Sequence, residues 1–262
     1  MLADCRIAGK KTMPTVNRLT ILGLLLCSLV SAPQPQSQTV PLSHQAVAIA
    51  SSSQFPTITQ FKTCTGDSTS SLVCTLDAPV SHGDVLLVNV AENVAGDTLT
   101  ISDNQSQRWI SIRCGINNYG SHQCVWYVQN AKAGTTTVLV ASSRSMHTFH
   151  VSLVEISGVA TTDVVDGSET RPTFSGGSAV VCGSVATHEA RDILLCFAGD
   201  NANDGLVPVA PSMLIARTSE SSPITEASAI EYLNAATPGT YTLQWNTHAK
   251  NLGLVTVALK PQ

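Results

Sequence analysis

Carboxylate and amide side chains cluster in one short stretch of the chain, residues 200–205, which read Asp-Asn-Ala-Asn-Asp-Gly. Ca²⁺ prefers oxygen ligands of this kind, so Asp200, Asn203 and Asp204 are the candidate metal ligands. Compared with an EF-hand loop, the stretch has Ala202 at its third position and no Glu at its twelfth. Asn and Asp residues also favour turns in which they bond to their own backbone. The sequence is therefore consistent both with a calcium site and with an ordinary turn. It indicates no other cofactor.

Three aromatic residues could stack against a sugar ring. Trp126 and Tyr127 are adjacent in a predicted strand, so their side chains point to opposite faces and one of them is expected outside. Tyr119 lies in a predicted hairpin tip that a disulfide closes, which limits the entropy lost on binding. Trp109 and Trp245 each lie in a predicted strand and are expected in the core. Tyr119, Trp126 and Tyr127 are therefore the candidate ligand-binding residues for an extracellular glycan.

The sequence contains no recognisable catalytic arrangement. A hydrolase needs a nucleophile, a base and a stabilised oxyanion, but the chain has no Gly-x-Ser-x-Gly motif. Its histidines are scattered, and no two acids have the spacing of a recognisable glycosidase pair. We name no catalytic residue, and a hydrolase ranks third behind a binding function and a structural one.

Six cysteines form three closely spaced pairs, and each pair brackets a turn-rich stretch. Opposed residues on antiparallel strands lie at disulfide distance, so the spacing predicts a bridge across each of three hairpins. Zinc ligands are usually two to four residues apart, and no Cys-x-x-Cys occurs here. Disulfides indicate an oxidising compartment and thus a secreted protein. The predicted pairs are Cys64 with Cys74, Cys114 with Cys124, and Cys182 with Cys196.

The first 32 residues have the order of a secretory signal peptide. Lys10, Lys11 and Arg18 precede an apolar run over residues 19–30, and Ala32 ends the segment. The apolar run is too short to span a bilayer comfortably, so we expect no membrane span in the mature chain. Cleavage after Ala50 is an alternative to cleavage after Ala32.

Residues 33–53 are rich in Pro, Gln and Ser and are interpreted as a flexible leader or tether. Within them, residues 46–50 are apolar and could instead pair as an extra strand. After residue 32 the chain has ten Lys and Arg against seventeen Asp and Glu, a net charge of about −7. This charge argues against sequence-independent binding to nucleic acid or to anionic lipid.

From residue 54 to residue 262 the chain is predicted to be an all-β, antiparallel β-sandwich of about fourteen strands. Short runs of Val, Ile, Leu and Thr alternate with clusters of Gly, Asn, Asp and Ser, and no long amphipathic helix is evident. The clearest predicted strands are residues 85–90, 135–140, 149–156, 193–197 and 252–259.

Two halves, about residues 80–160 and 179–262, share three patterns in the same order, which indicates an internal repeat. Residues 161–177 are the expected linker between them. The last pattern contains a doubled apolar pair, which predicts either a β-bulge or a strand buried on both faces. The halves could form two sandwiches in series or interleave into one jelly-roll-like sandwich, and we favour one domain. The matched stretches are 83–88 with 191–196, 130–137 with 234–242, and 153–156 with 254–257.

Four further motifs are Ser102-Asp103-Asn104 with Trp109, residues 126–134, residues 155–159 and residues 258–261. Together they resemble a class of secreted bacterial β-sandwich domains whose function is uncharacterised. The resemblance covers most of residues 80–262 and implies an immunoglobulin-like or jelly-roll-like sandwich, in modules often found beside immunoglobulin-like or carbohydrate-active domains. The six cysteines are not part of that pattern, and the resemblance implies no functional residue.

Two classes of function follow from these features. A secreted binding module for an extracellular glycan or a cell-surface partner predicts an exposed aromatic side chain flanked by amides and carboxylates. A structural subunit of an extracellular filament, sheath or surface layer predicts self-assembly through free strand edges or the N-terminal segment. The sequence does not decide between them.

Overall fold

In a computed structural model, the chain is described over residues 54–92, 97–116, 122–172, 179–200, 205–218, 227–247 and 252–262. These ranges contain fourteen strands and no helix, so the predicted all-β class is confirmed. The predicted signal peptide and tether lie outside the described residues. The strands are β1 (Thr57–Thr75), β2 (Val85–Glu92), β3 (Leu99–Asp103), β4 (Ile110–Ile116), β5 (His122–Val128), β6 (Thr137–Ser157), β7 (Val165–Pro172), β8 (Val180–Thr187), β9 (Asp192–Asp200), β10 (Val207–Pro208), β11 (Met213–Arg217), β12 (Ala227–Ala235), β13 (Gly239–Asn246) and β14 (Leu252–Leu259).

The strands form three antiparallel sheets. The first central sheet has the order β1-β6-β2-β5-β4, and β3 pairs with the N-terminal part of β6. The second central sheet has the order β11-β12-β9-β14-β7. The outer sheet has the order β10-β13-β8. Each pairing between these strands joins strands of the same half of the chain, and the described halves meet through side chains and through an isolated bridge between Val159 and Pro261.

Three apolar cores separate these layers. The central core lies between the two central sheets and joins Leu87 and Val154 to Leu195 and Val257. A second core lies between the second central sheet and the outer sheet, around Trp245. A third core lies between the first central sheet and an arm built from β3 and the bent ends of β1 and β6. The central strands are therefore covered on both faces.

The doubled apolar pairs of the sequence reflect this double burial. Leu153 packs in the third core and its neighbour Val154 in the central core. In the other half, Leu254 packs in the second core and Val255 in the central core. The second of the two predicted explanations is confirmed, since no register shift occurs at these residues.

All three predicted disulfides are present, but only one crosses a hairpin. Cys114 and Cys124 are directly opposed on β4 and β5, as predicted. The prediction is wrong for Cys64 and Cys74, which lie in the same strand, β1, on either side of its bend.

The prediction of a bridge across a hairpin is also wrong for Cys182 and Cys196, because β8 and β9 belong to different sheets and do not pair. That bridge crosses the second core and ties the outer sheet to the second central sheet.

The expected linker over residues 161–177 is wrong in part. Residues 165–172 form β7, which pairs along β14 at the edge of the second central sheet. Its mostly polar side chains suit a strand with a partner on one side only, which is why the stretch did not look like a strand in sequence.

The two ends of the sandwich are formed by different parts of the chain. Both ends of the described chain lie beside Gly158, since the amide of Gln262 donates to its carbonyl at 2.8 Å and Pro56 packs against it. At the opposite end, β2 and β9 terminate together, where Gly199 lies against Ala91 and Gln123.

Close approach of β4 and β14 requires a glycine. A Cβ atom at Gly115 would lie 2.8 Å from the backbone oxygen of Leu254, which cannot rotate away. We expect Gly115→Ala to lower the free energy of unfolding in urea by about 1–3 kcal/mol through overpacking. Gly239→Ala is the control, because its Cβ would meet only Tyr241 at an ordinary 3.6 Å. Equal unfolding free energies for the two variants would contradict this account.

Candidate functional site

One edge of the contact between the central sheets is open and the other is closed. At the closed edge β4 lies against β7, where the Nε of Arg113 donates to Ser168 Oγ at 3.2 Å. At the open edge, β1 and β11 are the terminal strands of their sheets. A cavity of about 670 Å³ lies between them, lined by residues 58–63 of β1 together with Asp77, Ala216 and Arg217. We call this cavity the edge cleft.

Phe61 gives the edge cleft an exposed aromatic surface. It stands opposite Val154 in the β1–β6 ladder, at the rim of the central core, and is 48% exposed because β1 has no partner on its other side. Among the described residues, it is the one aromatic side chain that is largely exposed. A half-exposed aromatic ring in a concave site is a surface on which an apolar ligand face can stack.

Polar side chains beside Phe61 are held in fixed orientations. The Nε2 of Gln60 donates to the backbone oxygen of Ala78 at 3.0 Å and to Glu155 Oε2 at 2.5 Å. The Nζ of Lys62 lies 2.6 Å from Asp77 Oδ1, in an ion pair. These amide, carboxylate and ammonium groups line the same cleft as the ring, but Gln60 and Lys62 project from the opposite face of β1 because neighbouring residues of a strand alternate.

The aromatic residues predicted from sequence lie elsewhere. Tyr127 is 9% exposed in the central core. Burial, and to a smaller extent the negative charge of Asp163, raises the pKa of its hydroxyl. Trp126 is half-buried against the third core, and Tyr119 lies outside the described residues. Of the two expected core tryptophans, Trp245 is fully buried, whereas Trp109 is only half-buried.

A second, smaller cavity of about 280 Å³ lies near the β3–β4 turn. Its lining includes amides, but those of Gln107 are already used, by the backbone amide of Lys132 at 2.6 Å and by the hydroxyl of Thr135 at 2.8 Å. None of the described residues that line this cavity is aromatic. It is a weaker candidate for a sugar than the edge cleft.

The proposed calcium ligands cannot be placed. Asp200 ends β9, and its side chain, together with Asn203 and Asp204, lies outside the described residues. Over the described ranges, no three His, Cys, Asp or Glu residues lie together in a group that could hold a metal ion. Calcium binding at residues 200–205 stays a prediction.

Two buried pairs of acids stand at the starts of the innermost strands. Asp84 precedes β2, and burial, with a hydrogen bond to Glu155, raises its pKa to about 6. Asp192 begins β9, and burial, with a hydrogen bond to Asp166, raises its pKa to about 8. In each pair the neighbouring carboxylate favours the protonated form of the aspartate, because two adjacent negative charges repel one another.

A further acid, Glu231, is buried alone. It is inaccessible to solvent, and neither carboxyl oxygen has a hydrogen-bond partner among the described residues. Burial raises its pKa to about 8, and the nearby Ser212 offsets only part of this effect. These acids affect stability, and none of them lines the edge cleft.

Comparison with family models finds no match, and searches of curated proteins and of solved structures find none either. The resemblance to secreted bacterial sandwich domains therefore stays a prediction. The three disulfides fit an extracellular protein. The described residues include no helix that is long and apolar enough to cross a membrane.

Sequence reasoning missed Phe61. One signal was available, because residues 57–63 are rich in β-branched residues and contain a single phenylalanine close to the predicted tether. What the pattern does not show is that β1 is a terminal strand, and the exposure of the ring depends on that position.

Proposed function

We propose that this protein is a secreted, non-catalytic binding module whose edge cleft binds an extracellular glycan, free or on a cell surface. The observation that carries the proposal is the exposed ring of Phe61 in a cavity of about 670 Å³ whose lining also includes the hydrogen-bonded side chains of Gln60, Lys62 and Asp77. Ligand sites usually occupy about 300–1,000 Å³. A pyranose has one face of C–H groups, which can stack on the ring, and hydroxyls that can bond to Gln60 and Asp77.

The overall charge of the protein favours a neutral glycan. Within the cleft, Lys62 is paired with Asp77 at 2.6 Å, whereas Arg217 keeps its positive charge while donating to the backbone oxygen of Leu206 at 3.3 Å. The net charge of the chain is negative, which disfavours acidic polysaccharides further. The predicted signal peptide and the disulfides support an extracellular site of action.

We further propose that the two halves are repeats of one sandwich unit. The sheet orders β1-β6-β2-β5-β4 and β7-β14-β9-β12-β11 correspond strand by strand. Leu86 pairs with Val128 and Glu155, and its counterpart Leu194 pairs with Leu233 and Ala258. This register aligns Glu155 with Ala258, two residues from the match that the sequence favours. In this alignment β1 and β11 at the open edge correspond to β7 and β4 at the closed edge. The two edges would be alike if the repeat were exact in structure, so the edge cleft is a difference between the two halves.

Substitution of Phe61 tests the binding proposal. On a glycan and polysaccharide array, we expect Phe61→Ala to lose about tenfold or more in affinity for any glycan that the mature protein binds, since burying such a ring contributes roughly 1.5–3 kcal/mol. Val73→Ala is the matched control, because Val73 lies on the same strand, is 57% exposed and does not line the cleft. Unchanged binding by Phe61→Ala, or an equal loss in both variants, would rule out the cleft as the site.

A structural subunit is the second candidate function. Its support is the free edge of β11, where Met213 and Leu214 are 48% and 45% exposed. Such edges can template pairing with another chain. Sedimentation of the mature protein over a wide concentration range distinguishes the candidates, because a subunit assembles and a simple binding module stays monomeric.

A further inference from the structure

A chain of hydrogen bonds connects a buried acid pair to the edge cleft. Asp84 lies directly before β2 and hydrogen-bonds to Glu155 on β6, and both side chains are buried. Glu155 Oε2 accepts from the Nε2 of Gln60, which lines the cleft. The Gln60 side chain in turn donates to the backbone oxygen of Ala78 at 3.0 Å and accepts from the Ala78 amide at 3.2 Å. One glutamine therefore separates the acid pair from the wall of the cleft.

Residues 77–81, which we call the lip, depend in part on Glu155 for their position. Asp77 begins the lip and lines the edge cleft. Ser81 ends the lip, and its backbone amide donates to Glu155 Oε1 at 2.8 Å. Glu155 therefore holds the lip directly at Ser81 and, through Gln60, at a point nearer to the cleft.

The acid pair is the part of this network that titrates. Burial, with the hydrogen bond and the charge of Glu155, raises the pKa of Asp84 from 3.8 to about 6. Below that pH a proton joins the two carboxyl groups, and above it both are negative and repel one another. The backbone of Asp84 is fixed, because its carbonyl accepts from the amide of Ala131 at 2.8 Å. Repulsion therefore acts on the longer side chain of Glu155 and weakens its bonds to Gln60 and to the lip.

Burial and Glu155 are the causes of the raised pKa of Asp84. Segments next to the pair carry other ionisable side chains, which are His82 in the same turn, Lys132 after β5, and Lys62 and Asp77 on the far side of Gln60. Lys62 and Asp77 are paired with each other at 2.6 Å, and the Nζ of Lys132 donates to the backbone oxygen of Gln105 at 3.1 Å.

We propose that Glu155 and Asp84 are a positioning pair, which holds the lip against β1 at acid pH and releases it as the pH rises. This inference rests on the proposed function where it concerns binding. If the edge cleft is the glycan site, its affinity depends on pH, because Gln60 and Asp77 keep their positions only while the proton is shared.

The second half of the chain has a similar arrangement away from the cleft. Asp192, the counterpart of Asp84, hydrogen-bonds to Asp166. Asp166 accepts from the backbone amide of His188, in the turn before β9. None of these three described residues lines the edge cleft. Asp192→Asn is therefore the matched control for Asp84→Asn.

Amide hydrogen exchange measured by NMR tests the positioning without any ligand. Between pH 5 and pH 7.5, after correction for the intrinsic rates, we expect the protection of the Ser81 amide to fall roughly tenfold or more, because its acceptor moves. The amide of Val80 donates to the backbone oxygen of Thr135 at 2.9 Å, so its protection should not change. Unchanged protection of Val80 shows that the sandwich stays folded.

The variants assign this change to the acid pair. Asp84→Asn should abolish the loss of protection at Ser81, because the amide donates to Glu155 at both pH values. Glu155→Gln should abolish it too, since it leaves Asp84 without an acid partner. Asp192→Asn should behave like the wild type. No loss in the wild type, or the same loss in both variants of the pair, would overturn the proposal.

Glycan binding is measured separately at the same two pH values. Any glycan that the wild type binds should bind about fivefold or more weakly at pH 7.5 than at pH 5, and equally at both in Asp84→Asn. Equal affinity at both pH values in the wild type would overturn the link to binding. The expected exchange together with a blank glycan array would support the positioning of the lip and remove only the glycan function.

Discussion

Raising the pH from 5 to 9 should destabilise the protein by on the order of 4 kcal/mol through Asp192 alone. Burial and Asp166 raise the pKa of Asp192 from 3.8 to about 8, so the folded state holds a proton that the unfolded state releases. The stabilisation is complete below pH 4 and is lost as the pH rises through 8. Glu231, with a pKa raised to about 8, acts in the same direction.

Urea unfolding at pH 5, 7 and 9 measures this loss. Asp192→Asn should flatten the dependence, because the amide can still donate to Asp166 and needs no proton. Glu231→Gln should flatten it as well. Asp163→Asn is the control, since Asp163 is exposed and forms a surface ion pair with Lys260. If the Asp192 variant kept the full slope of the wild type, the shared-proton account would fail.

Trp245→Ala should lower the free energy of unfolding by about 3–5 kcal/mol. Its side chain is fully buried in the second core, and its indole nitrogen lies 3.0 Å from the Cys196 sulfur, next to the bridge between sheets. Truncation leaves a large cavity between two sheets that the disulfide prevents from collapsing.

Trp109→Ala provides the comparison within the same chain. Trp109 is half-buried, and its Nε1 donates to Asp103 at 2.9 Å. Because less apolar surface is buried, Trp109→Ala should lower the free energy of unfolding clearly less than Trp245→Ala does. Urea unfolding at pH 5 measures both. Similar losses of unfolding free energy in the two variants would contradict the prediction that the loss follows the burial of each tryptophan.

The cysteines show how far spacing alone can be used. Ten residues separate Cys64 from Cys74 and also Cys114 from Cys124, yet the first pair lies in one bent strand and the second crosses a hairpin. Sequence spacing gives the proximity of each pair but not the path of the chain between them. A bend at Gly66 and Ser68 and a hairpin turn require the same kinds of residue.

Burial on both faces could be predicted from sequence, but the position of a strand within its sheet could not. Leu153-Val154 and Leu254-Val255 predicted either a β-bulge or a strand covered on both sides, and the second applies because neither face of these strands is polar. The candidate site depends on the position of a strand within its sheet, which the sequence did not predict. Tyr127 and Phe61 both lie in strands of the first central sheet, but Tyr127 is on an inner strand and Phe61 is on the last one.

The position of Gly158 also bears on how the sandwich can be handled as a reagent. Pro56 and Gln262 both contact this residue, so a short peptide could join them, and the chain could be reopened at a surface turn elsewhere. A circular permutant joined in this way and reopened within residues 187–191 would have its new termini between β8 and β9. Labels attached there would lie on strands that do not line the edge cleft.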